Sequence, residues 1–208
     1  MNFNFGLYPV ITEEFCNGRD MIFVLEEIIK GGAKIIQLRQ KKTNKKKVYQ
    51  LALKYRKITK QNNVILIIND HVDIALAVEA DGVHLGQDDL PCDVARKLAP
   101  NLIIGVSTHN EEEIQRAERD GASYINIGPI FATSTKELGI NPLGLEYLKN
   151  AKTNLPFSVM GGIKKNNIPT LLECNVKNIA MVTEITMAEN IQEKVRELVL
   201  AINSGVKN

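Results

Sequence analysis

Short apolar runs rich in β-branched residues alternate with longer amphipathic stretches along the whole chain. Such runs read as strands buried on both faces, and apolar spacing near 3.6 residues reads as helix. The pattern predicts strands over Leu7–Thr12, Lys34–Leu38, Val64–Ile68, Gly82–Leu85, Leu102–Val106, Tyr124–Ile127, Phe157–Met160 and Asn178–Val182. The intervening helices fall over Met21–Lys30, Lys45–Lys60, Val72–Val78, Pro91–Leu98, Glu111–Arg119, Leu143–Lys152, Asn166–Glu173 and Ala188–Asn203. Gly31-Gly32 ends the first helix, and Asn110 caps the fifth. Small-residue turns such as Ala80-Asp81-Gly82 and Gly121-Ala122-Ser123 keep each return to the next strand short, as parallel units require. Eight repeats of strand then helix predict an α/β protein, a closed (β/α)8 (TIM) barrel forming a single domain over residues 1–208.

Composition narrows the function classes. A length of 208 residues with 44% hydrophobic and 24% charged residues suits one ordinary globular domain. A formal net charge of +2 gives no ground for a nucleic-acid partner. No apolar run approaches the ~20 residues of a membrane helix, and the N-terminus lacks the pattern of a secretory signal. Cys16, Cys92 and Cys174 are scattered, odd in number and without metal-ligand spacing, which predicts reduced thiols in a cytoplasmic protein. Three histidines, none near another or near a cysteine, argue against a zinc site.

In a parallel barrel the chemistry sits just beyond the C-terminal end of each strand. Two neighbouring strands end in acids: Asn69-Asp70 after one, Gly86-Gln87-Asp88-Asp89 after the next. Asp70 with one of the second pair is a candidate holder of a divalent cation. The second strand ends in Gln37-Leu38-Arg39-Gln40-Lys41, whose alternate polar residues face a ligand and whose Arg39 and Lys41 suit an oligophosphate. Ser107-Thr108-His109 follow the fifth strand, and Thr133-Ser134-Thr135-Lys136 set three hydroxyls beside a lysine after the sixth. Gly161-Gly162 and Val182-Thr183 end the last two strands, where backbone N–H groups of this fold often cradle phosphate. Two anionic subsites are therefore expected, one around a cation with Arg39, Lys41 and Lys136, the other a backbone cradle.

Plainer roles stay open for each residue. Asp70 suits the cap of the helix beginning near Val72, and Asp88 or Asp89 the cap of the helix beginning at Pro91. Gly161-Gly162 also suits a tight turn. Apart from Lys41, the lysines from Lys42 to Lys47 suit a solvated helix start. His71, His84 and His109 suit structural hydrogen bonding, and Phe131 a loop anchor.

The segments QLRQK at Gln37, IND at Ile68, HLGQDDL at His84, GVSTH at Gly105, GPIFATSTK at Gly128 and GGI at Gly161 together resemble the thiamine-phosphate synthase (thiamine-phosphate pyrophosphorylase) family. The resemblance runs from about Leu7 to the last helix, in order and at the matching strand ends. It implies a (β/α)8 transferase that needs Mg2+ and joins hydroxymethylpyrimidine diphosphate to a thiazole phosphate, releasing pyrophosphate. It further implies that Gln37, Leu38, Arg39, Gln40, Lys41, Asn69, Ser107 and Lys136 contact the pyrimidine diphosphate, with Lys136, Arg39 and Lys41 serving catalysis. Thr133, Ser134, Thr135, Gly162, Val182 and Thr183 would hold the thiazole phosphate. Asp70 and Asp89 would ligate the metal, leaving Asp88 to cap a helix. The family also suggests a homodimer acting on small phosphorylated substrates, and the length of the 131–143 loop after a barrel strand suggests closure as a lid.

Three departures stand out against the family pattern. The loop after Lys136 is about three residues short, Glu184 adds a charge beside the phosphate cradle, and Met160 replaces a smaller residue before Gly161. A metal-free thiazole tautomerase on the same fold, and a non-catalytic sensor of phosphorylated ligands, are the competing readings. The first has no use for the Asp70 and Asp89 pair.

Overall fold

The computed structural model describes residues 3–133 and 141–204. Among these, eight parallel strands close into a barrel in sequence order. They are β1 (Leu7–Ile11), β2 (Ile35–Leu38), β3 (Ile65–Asn69), β4 (Gly82–Leu85), β5 (Ile103–Thr108), β6 (Tyr124–Ile127), β7 (Phe157–Val159) and β8 (Ile179–Met181). Helices α1 (Met21–Lys30), α2 (Lys45–Gln61), α3 (Val72–Ala77), α4 (Cys92–Leu98), α5 (Glu111–Arg119), α6 (Gly144–Asn150), α7 (Ile168–Glu173), α8 (Thr183–Thr186) and α9 (Ile191–Ser204) follow the strands in turn. Among the described residues no helix is long and apolar enough to cross a membrane.

Local chemistry sets the element ends. Asp20 Oδ1 accepts from the backbone N–H groups of Ile22 (2.8 Å) and Phe23 (3.1 Å) at the start of α1. Asn44 Oδ1 accepts from Lys47 N–H at α2 (3.0 Å), and Asn110 Oδ1 from Glu113 N–H at α5 (2.9 Å). Each cap satisfies donors that the first helical turn leaves without partners. β3 and β5 reach beyond the apolar runs that mark them. Asn69 pairs with His84, Ser107 with Asn126 and Thr108 with Ile127, because a ladder is built from backbone and tolerates polar side chains at the barrel mouth. The helix predicted over Ala188–Asn203 is α9, which starts at Ile191, and a short helix not predicted, α8, precedes it directly after β8. No side chain caps α4, whose N-cap position is Pro91, so the capping role expected of Asp88 is not found; Asp88 is exposed.

Strand side chains alternate between two cores. Outward residues such as Ile36, Ile68, Val83, Ile104, Ile125 and Val159 pack with the helices in the main cluster. Inward residues Tyr8, Val10, Ile35, Ile67, Ile103, Tyr124 and Ala180 fill the barrel with Phe3. Phe3 stacks on Tyr124 with ring centroids 4.1 Å apart, closing the N-terminal end. Gly105 is required here, since a Cβ on it would stand inside the Tyr124 ring. That glycine lets a large aromatic from β6 cross the barrel axis. Asn178, just before β8, fastens the closure: its amide donates to Phe3 O and Phe157 O (3.0 Å each), and its Oδ1 accepts from Phe5 N–H (2.7 Å) and Gly6 N–H (3.2 Å).

Candidate active site

The strand ends surround a cleft open to solvent at the C-terminal mouth of the barrel. Its acidic and cationic side comes from β2, β3 and β4. Arg39, Lys41, Asn69, Asp70 and Asp89 all line it. Asp70 has a left-handed φ of 64°, a conformation aspartate tolerates better than most residues, and its N–H donates to His84 O across the ladder (2.8 Å). Lys41 Nζ lies 3.0 Å from Asp70 Oδ2. Asp89 shares a hydrogen bond with Asp70 and accepts from Gly86 N–H through Oδ2 at 2.7 Å. Asp70 is thus turned into the cleft, and α3 has His71 at its N-cap position with no side-chain cap.

Burial, with the neighbouring Asp89 carboxylate, raises the Asp70 carboxyl to about 6, against the pull of Lys41. Two carboxylates sharing one buried place are mutually unfavourable until a proton or a cation joins them. Among the described residues no three His, Cys, Asp or Glu side chains gather for a metal. Two carboxylates nevertheless suit Mg2+, which keeps several waters and takes its other ligands from a bound phosphate.

Beneath this rim runs a buried chain of hydrogen bonds. Gln37 Nε2 donates to Tyr8 Oη (3.0 Å), and Tyr8 Oη lies 2.8 Å from Tyr124 Oη. Tyr124 Oη lies 3.0 Å from His84 Nδ1, and His84 Nε2 lies 2.9 Å from Ser107 Oγ. Burial holds both phenols well above the ordinary tyrosine range, so each keeps one proton to place. With Gln37 donating, the Tyr8 proton goes to Tyr124, the Tyr124 proton to Nδ1, and the Nε2 proton to Ser107. Reversing the direction leaves the Tyr8 proton with no acceptor among these bonds. Ser107 therefore accepts from His84 and offers its own proton onward.

The opposite wall belongs to β7 and β8. Gly161 (φ 99°) and Gly162 (φ 62°) both adopt backbone that favours glycine, and a Cβ on Gly162 would collide with Ala132 O. Thr133, Val182 and Thr183 line the cleft beside them. Glu184 also reaches it, and its charge is met by Lys164 (3.2 Å to Oε2), with Lys165 N–H 3.3 Å from Oε1. Met160 contributes apolar lining.

Most residues expected at the site meet in this one cleft: Gln37, Arg39, Lys41, Asn69, Asp70, Asp89, Ser107, Thr133, Gly162, Val182 and Thr183. Leu38 points the other way and packs in the helix-side core, as its place between inward-facing Gln37 and Arg39 dictates. Gln40 is also turned away, its Nε2 donating to Glu13 Oε2 and Met21 Sδ (3.1 Å each). Ser134, Thr135 and Lys136 lie outside the described residues. His84 and Tyr124 beneath the rim, and Asn126 in the lining, do not stand out as site residues in the sequence. The signal that finds them is period two: Tyr124 and Asn126 step inward along the strand that leads to Gly128.

A closed parallel barrel with paired carboxylates, a cationic wall and a glycine turn at its C-terminal mouth has the architecture of a (β/α)8 enzyme. A family model described as thiamine monophosphate synthase matches residues 7–185. A thiamine-phosphate synthase of Dictyoglomus turgidum is 46% identical over 208 residues, covering 99% of this chain and 93% of that protein. One from Shouchella clausii is 44% identical over 204 residues, covering 97% and 98%. A solved structure of thiamine phosphate pyrophosphorylase from Pyrococcus furiosus superposes with a TM-score of 0.90 at 32% identity, covering 98% of each chain. The chain belongs to the thiamine monophosphate synthase family and is an enzyme of the transferase class.

Proposed function

We propose that this protein joins 4-amino-2-methyl-5-(diphosphooxymethyl)pyrimidine to a thiazole phosphate, giving thiamine phosphate and pyrophosphate. The observation that carries this reading is the Asp70 and Asp89 pair set beside Lys41 and Arg39 at one rim of the cleft. That grouping suits a diphosphate held through a divalent cation. Asp70 and Asp89 would hold Mg2+, which when bound supplies charge neutralisation for the departing diphosphate. Arg39, Lys41 and, on sequence grounds, Lys136 bind the diphosphate oxygens and stabilise charge building up on them. Asn69, Gln37 and Ser107 orient the pyrimidine diphosphate.

The electron-rich aminopyrimidine stabilises the methylene cation left when the C–O bond breaks, and the thiazole nitrogen captures it. No protein nucleophile is needed. The chain's work is placement of two substrates and exclusion of competing water. Thr133 to Thr135, Gly162, Val182 and Thr183 would hold the thiazole phosphate at the opposite wall. In the carboxylate form of that substrate CO2 is released as well. The reading assigns the whole site to one barrel domain, places the enzyme in the cytoplasm, and allows a homodimer.

Purified protein mixed with both substrates and Mg2+ should form thiamine phosphate, and EDTA should stop it. Absence of product with Mg2+ present would overturn the reading. The metal-free tautomerase reading has no role for the carboxylate pair, so equal activity with and without EDTA on a thiazole substrate alone would favour it.

A further inference from the structure

The charged groups of the cleft stand at its mouth, whereas its floor carries uncharged polar side chains. One of these is unlike the rest. Asn126 on β6 is 2% exposed, lines the cleft, and has no hydrogen-bond partner for either its Nδ2 or its Oδ1. Leaving both halves of a buried carboxamide unmatched is costly unless something that enters the cleft completes them. Its neighbours do not. Ser107, beside it in register, is engaged by His84, and Ser158 on the other side is itself buried with its hydroxyl unmatched.

A carboxamide presents a donor and an acceptor in one plane. It is complementary to a group with an adjacent acceptor and donor, such as the N–C–NH2 edge of an amino heterocycle, which asparagine reads in the same bidentate way on adenine. Resting on the function proposed above, this distinguishes the two substrates. The 4-aminopyrimidine has an amino N–H beside a ring nitrogen, and the thiazole ring has no such edge. We infer that Asn126 is a specificity-determining residue that recognises the amino edge of the pyrimidine from the cleft floor. The rim then holds the diphosphate, and the floor checks the ring attached to it.

The test uses isothermal titration of the full chain with Mg2+ and three separate probes: the aminopyrimidine diphosphate, its 4-desamino analogue, and the thiazole phosphate. Wild-type protein should prefer the amino compound to the desamino analogue by about tenfold or more, the usual discrimination of a bidentate pair. Asn126→Ala should remove most of that preference, by weakening the amino compound while leaving the desamino analogue and the thiazole phosphate near their wild-type affinities. Asn126→Ser serves the same purpose should the alanine variant fold poorly. A variant that weakens all three probes equally, or that keeps the wild-type preference, overturns the inference and makes Asn126 a packing residue. Absence of discrimination in the wild type overturns it too. Wild-type protein that binds neither pyrimidine and forms no thiamine phosphate overturns the underlying function as well, so the two failures are separable.

Discussion

Asp70 and Asp89 set two acids against each other at one rim of the cleft, an opposition that the proposed metal role would resolve. Burial and the facing carboxylate push the Asp70 acid to about 6, and Lys41 offsets only part of that. Asp70→Ala should lower turnover by roughly 10²-fold or more while leaving the fold intact, read as kcat in a thiamine-phosphate assay beside a thermal melt. Near-normal turnover would remove the metal role. The hydrogen-bond chain beneath makes a different claim. Tyr124→Phe deletes the hydroxyl that joins Tyr8 to His84, so the ordered donation toward Ser107 should fail. The expected outcome is a KM for the pyrimidine diphosphate raised several-fold with the KM for the thiazole phosphate unchanged; equal shifts in both would argue for a packing role alone. Much of the rim was readable beforehand because its residues follow apolar runs directly. The floor was not, because Tyr8, His84 and Tyr124 stand inside strands, where tyrosine and histidine read as ordinary core.

At the level of elements, caps and runs carried the reading. Helices Met21–Lys30 and Glu111–Arg119 begin and end where Asp20, Gly31 and Asn110 place them, since the capping side chain and the apolar stripe agree. Asn110→Ala should cost about 1 kcal/mol of stability, measured by urea unfolding, with activity retained. The two strands predicted too short at their C-terminal ends share one cause. Apolarity marks the buried length of a strand, whereas a strand continues for as long as its backbone finds ladder partners, so Asn69, Ser107 and Thr108 belong to β3 and β5. The short helix α8 was hidden for a related reason, having only Ile185 and Thr186 buried and therefore no long periodic stripe. Leu38 lies within a segment of site residues yet faces elsewhere, because alternation along a strand lets only every second residue see the cleft, and Gln40, beyond β2, is held away by Glu13 and Met21.

For the whole molecule, the barrel fixes two walls against each other, and the proposed function leaves an anionic ligand and Mg2+ to complete the charge balance. Inorganic pyrophosphate with Mg2+ should therefore raise the melting temperature, by about 5–10 °C near a hundredfold excess over its dissociation constant, and EDTA should cancel the gain. A shift unchanged by EDTA would mean that the anion binds without the metal.

The Asn178 fastening has a consequence for motion. β7 and β8 are joined in register through Val159 and Ile179, a short seam for a closed barrel, and the Asn178 side chain spans it while also holding the residues before β1. The seam lies between the strands that carry Gly162 and Val182-Thr183. In hydrogen exchange, Asn178→Ala should let the amides of Phe5 and Gly6 exchange much faster and open the barrel first along this line. The same side chain that closes the cylinder would then set how often the wall bearing Gly162 and Thr183 breathes.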